Sequence, residues 1–401
     1  DSLPSVITHE KADLPDMDVN ALLACGSADE AGPAPVSEHD GGIVPIVDEV
    51  ISGYMGKSFE ESYDYLVENS YLKTSQSHDI QTVVLRWEGG EAPYTVTVGT
   101  EENLSGGEDY STDRTVLPLG TLFPDTVYYW RVTDSKGRGS DVGSFKTGSG
   151  PRIIAFRKLA KNDGVRNARD LGGIAVEGGT VKYGMLYRGG MFEFPPRDIF
   201  KNDVIDEYGK EILASLGLKT EIDLRNDADR GGQTKATAEG CDYVTVTYTG
   251  YTSIFPSDTY VESLYYDERT PEALGEIFSI LAVEDSYPVY FHCLIGQDRT
   301  GTLAYLILGL LGASFEDITR DYELTAFSKV GNMNRLASFN YTGENEMVTQ
   351  EAAWTAMNDV MLEYYSTGSG KLSDAVANYL TTECGVTPEE IESIRSLLIK
   401  K

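Results

Sequence analysis

A chain of 401 residues with a formal net charge of -31 repels phosphate backbones and anionic bilayers at long range, so nucleic acid and membrane surfaces are excluded as default partners. Its 41% hydrophobic and 24% charged residues match folded globular proteins and rule out wholesale disorder. No apolar run reaches the roughly 18 residues of a membrane-spanning helix; the most hydrophobic stretch, Thr302 to Leu311, suits a buried helix instead.

In chain order, residues 1–75 read as an N-terminal extension. The first 45 or so are rich in Asp, Ala, Gly, Pro and Ser without apolar periodicity, which predicts extended or loosely ordered chain. Val50, Tyr54, Phe59, Tyr63 and Leu66 then recur at mixed spacings that suit one or two short amphipathic helices. Over 76–150 the texture changes to short alternating segments, TVVLRWEG, YTVTVGT, VYYWRVTD and GSFKT, punctuated by turn residues. That spacing predicts an all-β sandwich of roughly seven strands. Trp87 together with Leu122, Pro124, Thr126, Tyr128, Trp130 and Val132 makes the segment resemble a fibronectin type III domain. The resemblance implies aromatic residues filling an inter-sheet core and a Tyr tying down a corner.

Gly148 to Pro151 marks a linker, and 151–401 reads as α/β. LKTEIDLRN and YPVYFHC are apolar runs of strand length, whereas Pro271–Ala282, Thr300–Leu311, Ser314–Ser328 and Pro388–Ile399 have helical length and period. Alternating strands and helices predict a mainly parallel, buried sheet. Asn332 to Gln350 is polar and irregular and reads as a surface insertion.

The segment with chemistry in it is His292-Cys293-Leu294-Ile295-Gly296-Gln297-Asp298-Arg299-Thr300-Gly301, set between a strand and a helix. A loop of this length can wrap backbone N–H groups around one phosphate at the positive end of the following helix. The same field favours thiolate at Cys293, the form that attacks phosphorus. Arg299 supplies a planar fork for two phosphoryl oxygens, and its interaction strengthens as charge spreads in the transition state. Leu294, Ile295, Gly296 and Gln297 supply the cradle, with Gly296 allowing close backbone approach. Thr300 can donate to the sulfur as it leaves. His292 reads as a residue that bonds loop backbone and tunes the thiolate rather than a direct base. The alternative, a buried Cys ending a core strand, requires the whole string to arise by chance, on the order of once in a million trials at average residue frequencies.

The string HCLIGQDRTG looks like the signature loop of protein tyrosine phosphatases, and most resembles the atypical bacterial tyrosine and lipid phosphatases. Further stretches carry that resemblance: Asn167-Ala168-Arg169-Asp170-Leu171-Gly172-Gly173, Leu186-Tyr187-Arg188, Ile222-Asp223-Leu224-Arg225 and Asp321-Tyr322-Glu323-Leu324-Thr325. It implies that Asp298, inside the loop, is the general acid; Asp223 and Asp227 are the competitors, with Arg225 in a supporting place. Asp170 reads as a structural hydrogen-bonding residue in a turn. Gln297 stands where the family usually has Lys, which weakens the case for phosphoinositide activity.

The expected reaction is therefore metal-free and cofactor-free hydrolysis of a phosphorylated protein or a small phosphate ester, phosphotyrosine favoured and dual specificity open. The rival expectations are an inositol phosphate or phosphoinositide phosphatase, and a surface adhesion protein that only binds phosphorylated ligands. Cys25, Cys241, Cys293 and Cys384 form no C-x-x-C pair, and His9, His39, His78 and His292 are scattered, which argues against a disulfide framework or a zinc site. Cys241 and Cys384 read as core residues. The sandwich, the acidity and a start at Asp1 without a leader suggest an exported or cell-surface bacterial protein; the reactive thiol keeps cytoplasmic residence open.

Overall fold

A computed structural model of the chain describes residues 32–35, 42–76, 78, 83–154, 156, 167–192, 205, 207–256, 266–328, 334–337, 339–342, 347–350 and 352–401. Two compact units emerge, one of residues 1–52, 79–161 and 205–216, the other of 53–78, 162–204 and 217–401. Cys25, His9 and His39 lie outside the described residues.

The first unit contains two sheets. One has the order Ala34–Pro35, Val83–Glu88, Val116–Leu119; the other runs Ile43–Val44, Gly143–Thr147, Val127–Thr133, Tyr94–Gly99, Glu108–Thr112. Alternation along each strand turns one face inward: Val83, Leu85 and Trp87 from one sheet share a core with Tyr94, Val96, Val98, Tyr128, Trp130 and Val132 from the other. Trp87 meets Tyr94 edge to face with centroids 5.3 Å apart, and the Tyr128 hydroxyl accepts from Phe123 N at 3.0 Å. Two of the eight strands come from the segment that reads as loose extension. Ala34–Pro35 pairs antiparallel with Trp87 and Glu88, and Ile43–Val44 parallel with Lys146 and Thr147. Two-residue edge strands are too short to leave a period in the sequence.

The helices Phe59–Asn69 and Tyr71–Thr74 fall where short amphipathic helices are expected, and residues 53–78 cluster with the second unit. A capping box of Ser58 and Glu61 starts the longer helix. The Arg335 guanidinium stacks 3.6 Å from the Phe59 ring centroid and donates to Phe59 O and Ser62 Oγ. These attachments are made by residues far away in the chain, so local composition does not announce them.

The second unit is built on a five-stranded sheet in the order Asp242–Thr245, Thr220–Asp223, Val289–His292, Leu186–Gly189, Arg169–Asp170. All pairings are parallel except that of Arg169–Asp170. Thr220–Asp223 and Val289–His292 are buried along their whole length, as expected of central parallel strands. Register aligns Gly189, His292 and Asp223, so three carboxyl ends open beside Cys293.

The helix Asp298–Leu311 follows and is buried from Thr300 to Leu311, ending at Gly312 with φ 87°. Ala353–Tyr365 and Leu372–Thr382 are helices absent from the sequence expectation, although Trp354, Met357, Val360 and Met361 mark a buried face. The final helix stops at Leu398, and Ile399–Lys400 joins a small sheet against Gly179–Val181. Ser314–Ser328 divides into the helix Phe315–Glu323 and a 3-10 turn, Leu324–Phe327. Within the polar stretch 332–350 the described residues form a hairpin, Phe339–Thr342 with Met347–Gln350. No helix among the described residues is long and apolar enough to cross a membrane.

Candidate active site

Strand Val289–His292 delivers Cys293 at its end, and the chain turns through Leu294 to Gln297 before Asp298 opens the helix. Cys293 is 2% exposed, while Leu294, Ile295, Asp298 and Arg299 are half-buried. The backbone N–H groups of Leu294, Ile295, Gly296 and Gln297 meet no acceptor among the described residues. Four open donors at the start of a helix of 14 residues make an anion site by backbone geometry alone.

The loop's shape depends on Gly296. Its φ is 75°, and a Cβ there would lie 2.3 Å from the carbonyl carbon of Gly189. The Gly296 carbonyl accepts from Asn167 Nδ2 at 2.9 Å and Arg188 Nη2 at 3.0 Å. Arg188 in turn donates to Asp321 Oδ2 at 2.5 Å, and Arg169 Nε donates to Asp321 Oδ1 at 2.6 Å. Three separate sequence motifs thus form one buried ionic clamp on the loop. Burial, and then the charge of Arg169, pushes Arg188 down to about 10 despite Asp321. Burial alone would raise the Asp321 carboxyl, but the two guanidinium groups outweigh it and hold it below the ordinary range.

His292 is buried beside Cys293, with Nδ1 3.1 Å from Cys293 O and Nε2 3.2 Å from Glu221 Oε1. A carbonyl lies at one ring nitrogen and a carboxylate at the other, which fixes the orientation of the ring. Glu221 also accepts from Gln233 Nε2 and Thr237 N. This glutamate is not singled out by any motif.

The acidic candidates separate by environment. Asp298 Oδ1 accepts from the Tyr251 hydroxyl at 2.7 Å and from Gln297 Nε2 at 3.1 Å, and burial raises its proton affinity. Asp223 is the opposite case. Burial would raise it, yet the guanidinium and backbone N–H of Arg225 and the Tyr243 hydroxyl keep its carboxyl well below the usual range. Such a group holds no proton at neutral pH. Asp227 has a side chain 97% exposed and pairs with Arg230. Asp170 accepts from Gly172 N and Gly184 N, both at 2.8 Å, tying a turn.

Arg299 donates to Leu224 O at 2.8 Å and lies 3.4 Å from Asp229 Oδ2. The buried Tyr248 hydroxyl donates to the Arg299 carbonyl, and burial first, then the charge of Cys293, raises its proton affinity. Thr300 Oγ1 is buried and has no hydrogen-bond partner among the described residues, so the expected bond to sulfur is not made in this conformation. Its usual helical alternative, the carbonyl four residues back, is Gly296 O, already held by Asn167 and Arg188. Burial pushes the Cys241 and Cys384 thiols up to about 12, leaving neither as a nucleophile at neutral pH. Among the described residues no group of three or more His, Cys, Asp or Glu is placed to hold a metal ion.

The model of the tyrosine phosphatase family matches residues 160–400, which takes in every group just described. The chain belongs to the tyrosine phosphatase family. It is 29% identical over 241 residues to a candidate tyrosine-protein phosphatase from Cupriavidus necator, covering 54% of this chain and 81% of the relative. It is 31% identical over 131 residues to a tyrosine-protein phosphatase from Nostoc commune, covering 29% and 43% respectively. The family member described here is a phosphoric monoester hydrolase with a mixed α/β phosphatase domain.

Sequence reasoning passed over Tyr248, Asp229, Glu221 and Tyr251, all of which touch or flank the loop. Only Gly250-Tyr251 carries a faint signal, a glycine before an aromatic in a stretch without period.

Proposed function

We propose that this phosphatase works through a phosphocysteine on Cys293, with phosphotyrosine as the favoured substrate. The observation that carries the reading is the row of open N–H groups from Leu294 to Gln297 between a cysteine and a helix start. In the first step the Cys293 thiolate forms an S–P bond and the P–O bond breaks, while Asp298 gives its proton to the leaving oxygen. Arg299, released from Leu224 and Asp229, follows the charge on the equatorial oxygens. In the second step water attacks phosphorus, Asp298 takes its proton, and the thiolate departs with Thr300 as donor.

Three points support Asp298 as the acid over its rivals: its raised proton affinity, its place in the loop, and the contrast with ionised Asp223 and exposed Asp227. Gln297 favours phosphotyrosine over polyphosphorylated lipids, because its amide is engaged by Asp298 and adds no charge for a second phosphate. The two-sheet unit fits a fibronectin type III-like domain, with Trp87 in the core and the Tyr128 hydroxyl on the backbone of Phe123.

Cys293→Ser tests the mechanism. It should abolish turnover of an aryl phosphate while vanadate still binds; retained turnover ends the proposal. Rates on phosphotyrosine, phosphoserine and inositol phosphates test the substrate class, and equal or faster turnover of inositol phosphates would reverse the preference.

A further inference from the structure

The turn at Gly250-Tyr251 grips the start of the signature helix at several points. Tyr251 N donates to Thr302 Oγ1 at 2.8 Å, and Thr302 Oγ1 donates to Asp298 O at 3.0 Å. A Cβ at Gly250 would lie 2.8 Å from Thr302 Oγ1, so only glycine permits this approach. Tyr251 itself has φ 58°, a left-handed conformation that side chains other than Asn and Asp seldom adopt. What this backbone achieves is a hydroxyl 2.7 Å from Asp298 Oδ1 and 2.8 Å from the Tyr322 hydroxyl. Tyr322 is immobilised by stacking on Trp354, with centroids 3.8 Å apart and planes within 8°. Trp354 is anchored by a bond from Nε1 to Thr319 Oγ1 at 2.9 Å.

The two oxygens of Asp298 are therefore unlike. Oδ1 faces the Tyr251 hydroxyl and the Gln297 amide, whereas no side chain among the described residues donates to Oδ2; the backbone N–H of Asp298 also bonds this carboxyl. Hydrogen bonds into Oδ1 make it the carbonyl-like oxygen of the protonated acid and leave the proton on Oδ2.

We infer that Tyr251 is a positioning residue for the general acid, fixing Asp298 so that Oδ2 presents its proton to the leaving oxygen, with Tyr322 holding Tyr251 in place. This rests on the reading of Asp298 as the acid. The groups around that carboxyl are Tyr251, Gln297, Arg299 and, through Tyr251, Tyr322.

The test compares kcat/KM for two substrates, phenyl phosphate with a poor leaving group and 4-nitrophenyl phosphate with a good one, in folded full-length protein. Tyr251→Phe keeps the ring and removes the hydroxyl. It should slow phenyl phosphate about tenfold and 4-nitrophenyl phosphate by less than about twofold. In the background of Asp298→Asn it should add nothing, since the two residues act through one proton. Equal losses on both substrates, or no loss on either, would overturn the inference. If Asp298→Asn fails to discriminate between the substrates, the acid assignment falls and takes the inference with it. If Asp298→Asn discriminates and Tyr251→Phe does not, the inference alone fails. Vanadate affinity within about twofold of the parent protein verifies that the variant's loop is intact.

Discussion

Two buried carboxylates two residues apart on the helix Phe315–Glu323 do the same chemistry for different regions. Asp321 binds Arg169 and Arg188 and through them the Gly296 carbonyl of the phosphate loop. Glu323 binds the backbone N–H and guanidinium of Arg335 and accepts from the Tyr54 hydroxyl at 2.6 Å, fastening the chain from Tyr54 to Ser62. Residues two apart on a helix lie on opposite sides of it, so one element separates a functional clamp from a structural one. Buried ion pairs of similar quality therefore need not matter equally for catalysis; what the arginines touch next decides.

Asp321→Asn tests the strong side of that contrast. Leaving two buried guanidinium groups short of a counter-charge should cost about 3–5 kcal/mol in urea unfolding. A loop displaced by about 1 Å should lower kcat/KM on 4-nitrophenyl phosphate about a hundredfold. Glu323→Gln should cost about 3 kcal/mol for the same reason, yet leave turnover within about twofold below its melting point, measured in the same assays. Comparable losses of turnover in the two variants would erase the distinction.

Gly296→Ala probes the clamped carbonyl directly. With φ 75° and Gly189 2.3 Å from the new Cβ, it should cost about 2 kcal/mol and abolish vanadate binding.

Glu221→Gln sharpens the contrast from beside Cys293. Removing the carboxylate takes from His292 Nε2 its acceptor, so turnover of 4-nitrophenyl phosphate should fall about tenfold, the worth of one lost hydrogen bond of about 1.5 kcal/mol, while vanadate affinity stays within about twofold. A matching loss of vanadate affinity would mark Glu221 as merely structural.

The smallest effect is in acid. Asp321 and Asp223 have depressed proton affinities in the fold, so their contributions are complete above the unfolded carboxyl value of about 3.9 and vanish as pH falls toward the folded one. Stability should drop by up to about 1.4 kcal/mol per pH unit per proton below about pH 4, and Asp321→Asn should flatten that slope.

Much of the site was legible because its chemistry is local. Cys293 to Thr300 is a single strand-to-helix turn, and the helix period of Thr302 to Leu311 together with Gly296 declares it. The separate stretches around Asn167, Arg188, Asp223 and Asp321 were visible as motifs, but what Asn167, Arg188 and Asp321 do together was not. The hairpin at 339–350, the edge strands at 34–35 and 43–44, and the affiliation of 53–78 left no periodic signal.

By itself the sequence determined where the Cys293 loop sits between strand and helix and the mixed α/β class of the domain around it, since backbone propensity and side-chain period act over a few neighbouring residues. Only the tertiary structure decided how the carboxylates differ. Asp298 and Asp223 are the same residue type; burial raises one against the bonds from Tyr251 and Gln297, and Arg225 with Tyr243 lowers the other. Gln297 and Arg225 are sequence neighbours of the carboxylates they contact, but Tyr251 and Tyr243 are brought in from 47 and 20 positions away by packing and sheet register, and a local pattern carries no information about such distances.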